Sequence, residues 1–429
     1  MQGRAVARRG WGVALALGAA LFALAIAVLA ERAGRLMNVP GSPDAVHWVM
    51  QDFRDAIYLP LRAVLDGANP YDVRRYVATY PVGQTFPPYS PFLLVAHAPL
   101  GALPAGVAQT AYLALNVLLT LGLAYVSLRL TGGASLAQTM LLAGVVLLSR
   151  PGQFNVLVGQ PTLLLVAGVY LALFWAPRRP GVAAVGLALT SMKPTYAVPL
   201  GLLMLARGDW RPLLIGGVLA VLGAVLGAIG PVLAAGGPAE FAALLPANYA
   251  AFALESSADP SVSLHRVDAG VIVSRLLGRP PGTPLEMGLF LAIVGIGALA
   301  LRHSARNDLA LSAGVACSTI LACVYHASYD LVLLVLPAVA LLRAASTPAW
   351  LRPTWLRALL GLAYCGLAMN YLASENAAHL LDFGGALRAL VGTLNSVGVM
   401  VLFAAYCSVA LRGGTTAPAA HQPRSALRD

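Results

Sequence analysis

Residues 51–91 read QDFRDAIYLPLRAVLDGANPYDVRRYVATYPVGQTFPPYSP, the first long polar interruption in a chain that is otherwise soluble in hydrocarbon. Asp52, Asp55, Asp66 and Asp72 lie within it and Asp44 just before it, so this neighbourhood holds five of the 17 acidic residues, beside Arg54, Arg62, Arg74 and Arg75. A membrane protein that gathers its charge in one place is expected to do its chemistry there.

The flanks of that stretch decide the fold. Hydrophobic residues make up 59% of the 429 and charged residues only 10%, a balance that excludes an ordinary soluble domain and points to a polytopic membrane protein. The apolar segments run about 18 to 25 residues without the alternation of barrel strands, so the expected fold is all-α, a helical bundle in the membrane. The formal charge of +11 is spread as arginines between apolar spans. It forms no basic face, which argues against a nucleic-acid partner and fits topology and anionic lipid. Cys317, Cys323, Cys365 and Cys407 sit inside apolar segments, at spacings that suit neither a disulfide framework nor a zinc site.

Along the chain, the basic N-terminus MQGRAVARRG leads into the apolar run Trp11 to Ala30. That run looks like a signal peptide, cleavable before Glu31, but it exceeds the usual h-region of about 7 to 15 residues, which favours an uncleaved first span with a cytoplasmic N-terminus. Residues 31–90 then form a first outer loop. It contains an interfacial helix over Tyr58 to Asp66 stopped by Gly67, a turn at Asn69-Pro70-Tyr71 and an extended run from Phe86 to Pro91. Arginines at alternate segment ends (Arg129, Arg178-Arg179, Arg302 and Arg343) imply about 10–12 transmembrane segments in one integral membrane domain. A second outer loop spans 234–287 and a cytoplasmic tail 412–429. The outer mouth SRPGQFNVLVGQPT presents Gln153, Asn155 and Gln160, neutral amides that suit sugar hydroxyls.

All but one of the 28 basic side chains are arginine; the exception, Lys193, lies in the apolar run LALTSMKPTYAVPLGL. Arginines bracket this segment on both sides. It is either a hairpin of two half-length helices turning at Lys193-Pro194 or one long kinked helix. An ammonium at membrane depth costs about 2.5 to 3.5 kcal/mol on insertion scales. A phosphate about 4 Å away would return about 4 kcal/mol at an effective dielectric of 20; a protein carboxylate such as Asp330 would serve as well. His326 and Asp330 stand four apart at the outer tip of a later hairpin, a spacing that puts them on one face if the turn is helical.

The order QDFRDAIY, DGANPYD, FPPYSP, GQFN, then KP followed by RGDWR, resembles the membrane glycosyltransferases of family 87 over roughly residues 45 to 345. The resemblance implies a GT-C fold and transfer of a sugar from a polyprenyl-phosphate donor to a glycolipid or glycan acceptor, in contact with membrane lipid and without cofactor or metal. Mannosyl transfer is the favoured activity, with arabinofuranosyl transfer the alternative within the fold. It also implies a multi-pass protein of the cell membrane with its site on the extracytoplasmic face. Two aspartates, Asp52 and Asp55, stand where the family pattern places one, so either is the candidate base. Such a transfer needs a carboxylate and fixed positive charge, which makes Lys193, His326 and Arg266 candidates for donor phosphate. Gln153, Asn155, Gln160, Tyr71 and Asp330 are candidates for acceptor and sugar. No Walker loop or dinucleotide fingerprint occurs, against a soluble nucleotide donor. A transporter or flippase of lipid-linked substrates is the rival, but QDFRDAIY has no counterpart downstream, as the repeats of transporters would require.

Overall fold

The computed structural model describes residues 2–37, 50–175, 179–255, 257–304, 308–343 and 348–413. Asp44, Arg178 and the greater part of the tail lie outside them. Among the described residues the chain is all-α, its sole β feature being an isolated antiparallel bridge between Arg266 and Ala327. Among the described residues five helices are long and apolar enough to cross a membrane: Gly12–Ala33, Ala105–Leu130, Trp210–Ala235, Thr283–His303 and Gly385–Arg412. A sixth candidate is the pair Leu136–Leu148 and Arg150–Val158, bent by 77°, and six shorter apolar helices fill the bundle between them.

The span Trp210–Ala235 has its large residues facing out. Leu214, Val218, Val221, Leu222, Val225, Leu226 and Ile229 are exposed, whereas Pro212, Gly216, Gly223, Gly227 and Pro231 are buried. That pattern suits lipid as the surrounding medium, where small residues let backbones approach. A side chain at Gly227 would collide with the Pro91 carbonyl, and one at Gly223 with the Phe92 ring. The proline run that closes the polar stretch therefore lies directly against this span.

The Lys193 segment is broken. Helices Pro180–Thr190 and Pro194–Ala206 are separated by a turn in which Lys193 is extended (φ −121°, ψ 103°) and Pro194 begins the second helix, as proline's fixed φ and missing N–H favour. Arg207, just past the second helix, donates to the Leu173 carbonyl at 2.8 Å, near the end of Thr162–Trp175 from which the first helix departs. The second half thus returns to its starting end, and the segment is a hairpin. Its tip meets the proline run, where the Ser90 amide donates to the Met192 carbonyl at 3.0 Å.

Above the bundle, the polar stretch folds into short helices at Gln51–Phe53, Arg54–Tyr58, Leu59–Leu65 and Val73–Thr79. Gly67 (φ +74°) ends the third, Asn69 Oδ1 accepts from the Tyr71 amide at 3.0 Å to form the expected turn, and Asp72 caps the fourth through the Arg75 amide. Two differences from the sequence reading concern boundaries. Residues 150–158 of the mouth are a helix laid across the bundle, because Ser149 caps a new start and Pro151 fits its first turn. Helix Thr283–His303 begins inside the stretch assigned to the second outer loop, after the break at Gly282 (φ +78°).

Candidate active site

Asp52 is carried by the short helix Gln51–Phe53, whose preceding residue Met50 is left-handed (φ 58°). The Met50 amide donates to the Leu157 carbonyl at 2.6 Å, so this helix is pinned to Arg150–Val158. Gly159 (φ +76°) ends that crossing helix against Phe53 and Met50, where a Cβ would not fit. The chain then presents Gln160, whose Nε2 donates to Asp52 Oδ2 at 2.5 Å. Gln84 Nε2 donates to Oδ1 at 2.7 Å, and Tyr89 Oη donates to Gln160 Oε1 at 3.2 Å, which orients the amide. Asp52 is partly exposed and carries no ion pair among the described residues. Burial raises its pKa to about 6; the two glutamine bonds oppose that rise, Asp55 adds to it and Lys193 draws it down. A carboxylate held by neutral amides, with a pKa just below neutrality, can take a proton from an incoming hydroxyl.

Asp55 is placed differently. The five-residue π-helical turn Arg54–Tyr58, a distortion often found at functional sites, carries it to a fully buried position. Arg54 forks onto it at 2.6 and 3.0 Å, and the Gly83 amide donates to Oδ2 at 2.9 Å. Those bonds commit Asp55 to holding the loop at residue 83.

The hairpin tip and the His326 turn converge beside them. Lys193 Nζ lies 2.9 Å from Asp330 Oδ2, with the rings of Tyr329, Tyr196 and Tyr325 at 5.2, 5.5 and 5.9 Å. Asp330 Oδ2 also meets His326 Nδ1 and the Ala327 amide, both at 3.0 Å, while Oδ1 accepts from Thr162 and Tyr196 at 3.0 Å. The ammonium that the sequence left unbalanced is therefore paired with a protein carboxylate. His326 Nε2, Ser328 Oγ and Thr195 Oγ1, neighbours of that pair in the chain, are buried without a hydrogen-bond partner. Asp52, Asp330 and Glu255 all act electrostatically on Tyr325, which marks one shared neighbourhood.

Arg266 supports that neighbourhood from behind. It is paired with Asp268 by two bonds of 2.9 Å, donates to the Ala258 carbonyl at 2.6 Å and lies 5.2 Å over the Tyr325 ring. Other candidates fall elsewhere. Tyr71 is buried, its hydroxyl spent on the Tyr89 carbonyl at 2.7 Å and its ring packed against Phe86 and Phe241. Gln153 is bonded by Arg32 on the far part of the crossing helix, and Asn155 is fully buried with both amide atoms unpartnered.

Several site residues escaped the sequence reading. Gln84, Tyr89, Tyr196, Tyr325 and Tyr329 are described above; Glu255 accepts from the Thr85 amide and hydroxyl at 2.9 and 2.6 Å. Burial raises the Glu255 pKa against those bonds, and Asp55 adds to the rise. The available signal was the bracket of tyrosines around His326 in YHASYD. Among the described residues no group of three or more His, Cys, Asp or Glu converges as a metal site.

A family model for glycosyltransferase family 87 matches residues 86–337. The match takes in Lys193, Arg266, His326 and Asp330 and begins after Asp52 and Asp55. No curated protein and no solved structure matches the chain.

Proposed function

The chain belongs to glycosyltransferase family 87, and from that premise we propose that it moves a sugar, mannose in the favoured reading, from a polyprenyl-phosphate donor to a hydroxyl of a lipid-linked or envelope glycan. One observation carries this reading: Asp52, a partly exposed carboxylate with no ion pair among the described residues, is joined through Gln160 and, two residues on, Thr162 to Asp330 of the Lys193–Asp330–His326 cluster, where His326 Nε2 is buried without a partner. In the proposed reaction Asp52 takes the proton of the acceptor hydroxyl as its oxygen attacks the anomeric carbon. The bond from that carbon to the phosphate oxygen breaks, and the lipid phosphate leaves with the electron pair. Lys193 and His326 hold its charge, Lys193 with the N–H bonds not given to Asp330, and Asp330 keeps both oriented. Phosphate is already a good leaving group, so no separate general acid is required.

The site faces the extracytoplasmic side in this reading. Support comes from the arginines at the opposite end of the bundle: Arg207 and Arg302 flank one cavity there, and Arg343 closes on the loop after Ala105–Leu130 through Gly133 and Gln138. Basic residues of that kind favour the cytoplasm. Membranes containing the protein, supplied separately with radiolabelled polyprenyl-phosphate-mannose and polyprenyl-phosphate-arabinose, test the donor. Mannose label entering glycolipid is expected, arabinose label alone would replace the sugar, and neither label would reject the transferase reading.

A further inference from the structure

The crossing helix carries a second concentration of positive charge at its far end. Arg150 opens helix Arg150–Val158 and is only 7% exposed. Its guanidinium lies 4.2 Å over the Phe154 ring and its Nε is buried without a partner. Among the described residues it forms neither an ion pair nor a hydrogen bond. Arg32, from the N-terminal helix, is close enough to act on Arg150 electrostatically; it donates to Gln153 Oε1 and lies 5.6 Å over the Tyr371 ring. The Tyr371 hydroxyl donates to the Leu148 carbonyl. Among the described residues no acid is paired with either arginine, and Glu375 is bonded instead to Arg388 at 2.6 and 2.8 Å. The next amides of the helix start are already taken, since Ser149 accepts from Gly152 and Gln153 and Pro151 has none. A buried guanidinium without an anion is costly, and such a group is a fork built for phosphate oxygens.

We propose that Arg150 and Arg32 bind the phosphodiester head group of an anionic membrane lipid, at a site separate from the Asp52 cleft. A place for the lipid's hydrocarbon adjoins it. Helices Thr354–Met369 and Gly385–Gly413 enclose an apolar groove of about 390 Å³, lined by Leu362, Gly366, Leu394 and Val397, that ends in the bonded pair Asn370 and Asn395. Tyr371, the ring beneath Arg32, follows directly in the chain. A free phosphate would have no use for that groove.

The site's position also says which lipid. The helix from Arg150 to Val158 has nine residues and rises roughly 13 Å at 1.5 Å each, with Gln160 and Asp52 beyond its other end. In a glycosyl phosphate the phosphate oxygen is bonded to the carbon under attack, so a donor whose sugar reacts at Asp52 cannot place its phosphate at Arg150. Resting on the transferase reading, the anion at Arg150 is the diester of a glycolipid acceptor whose reacting hydroxyl lies a few sugar-ring lengths away.

The full-length protein in neutral detergent, incubated with phosphatidylglycerol or phosphatidylcholine and examined by native mass spectrometry, tests the binding. Selective retention of phosphatidylglycerol is expected, reduced about tenfold or more in Arg150→Gln and partly restored in Arg150→Lys. Equal retention by the wild type and a folded Arg150→Gln would overturn the site. Arg32→Gln carries the same comparison if Arg150→Gln does not fold. Inorganic phosphate binding as tightly as the lipid would overturn the lipid assignment in favour of a free anion. In transfer assays Arg150→Gln should raise the acceptor KM and leave the donor KM unchanged; a change confined to the donor KM would overturn the acceptor assignment alone. If the wild type transfers nothing, the transferase reading fails while the binding comparison still decides the site.

Discussion

Two buried cations in this protein have been treated in opposite ways. Lys193 is met by a carboxylate at 2.9 Å and by three tyrosine rings, whereas Arg150, nearly as buried, lies over the Phe154 ring and has no ion pair among the described residues. The same division separates the two aspartates of the polar stretch, Asp55 forked by Arg54 and Asp52 held by neutral amides. A charge whose partner is built into the fold is positioned by that partner and keeps only its remaining bonds for a ligand; one left without a counter-ion offers its whole charge to a proton or a ligand.

The largest effect should come from breaking the built-in pair. Asp330→Asn leaves Lys193 buried without its counter-ion, and removing one partner of such a pair costs about 3 to 5 kcal/mol. Thermal melting in detergent should therefore drop sharply, with activity lost alongside. A variant that melts with the wild type would mean that Lys193 finds another anion, and the contrast with Arg150 would dissolve.

Asp52→Asn is the matching change on the open side, with the opposite balance of effects. Turnover should fall about 10² to 10⁴-fold, the usual worth of a positioned base, while donor binding survives. Its stability effect has a definite sign. The Asp52 pKa rises from 3.8 unfolded to about 6 folded, so the folded state binds the proton more tightly and stability falls as pH rises through that window. At neutral pH the neutral asparagine should melt no lower than the wild type, and slightly higher if other contacts hold. Full activity in Asp52→Asn with loss in Asp55→Asn would transfer the base to the buried residue.

The pH profile follows from the same shift. A base must be deprotonated, so kcat/KM should decline as pH falls through about 6 and level off above it. Loss of that inflexion in Asp52→Asn, with residual activity flat across the range, would assign it. An inflexion that persists in the variant belongs to another group, for which Glu255, beside Gln84 through Thr85, is the first to examine.

These distinctions were unevenly legible in the sequence. Hydrophobic length and arginine placement were enough for the membrane bundle, while the arginine brackets on Lys193 left a hairpin and one long kinked helix both open until the extended Lys193 turn separated them. The lone lysine and the HASYD turn were visible as functional candidates, and the pairing of Lys193 with Asp330 was one of the two readings left open. Asp52 and Asp55 could not be separated, because their environments depend on the π-helical turn at Arg54–Tyr58 and on Gly83, Gln84 and Gln160. The Arg150 cluster was less legible still. It exists because the chain bends by 77° after Leu148 and so brings Gln153 to Arg32, 121 residues away. Sequence spacing carries no trace of a contact made across that bend.

The smallest effect is also the sharpest test of how Asp52 is held. Gln160→Met keeps the length of the side chain but removes the 2.5 Å bond to Oδ2 and the link to Tyr89. That bond stabilises the charged carboxylate and opposes the rise caused by burial, so its loss should move the kinetic inflexion to higher pH. Well above the inflexion Asp52 is deprotonated in either protein, and kcat there should change only a few-fold. Gln84→Met, which removes the 2.7 Å bond to the other oxygen, should shift the profile in the same direction. A shift to lower pH in either variant would mean that the glutamine holds the protonated acid rather than the carboxylate, and Asp52 would then be poised to give a proton instead of taking one.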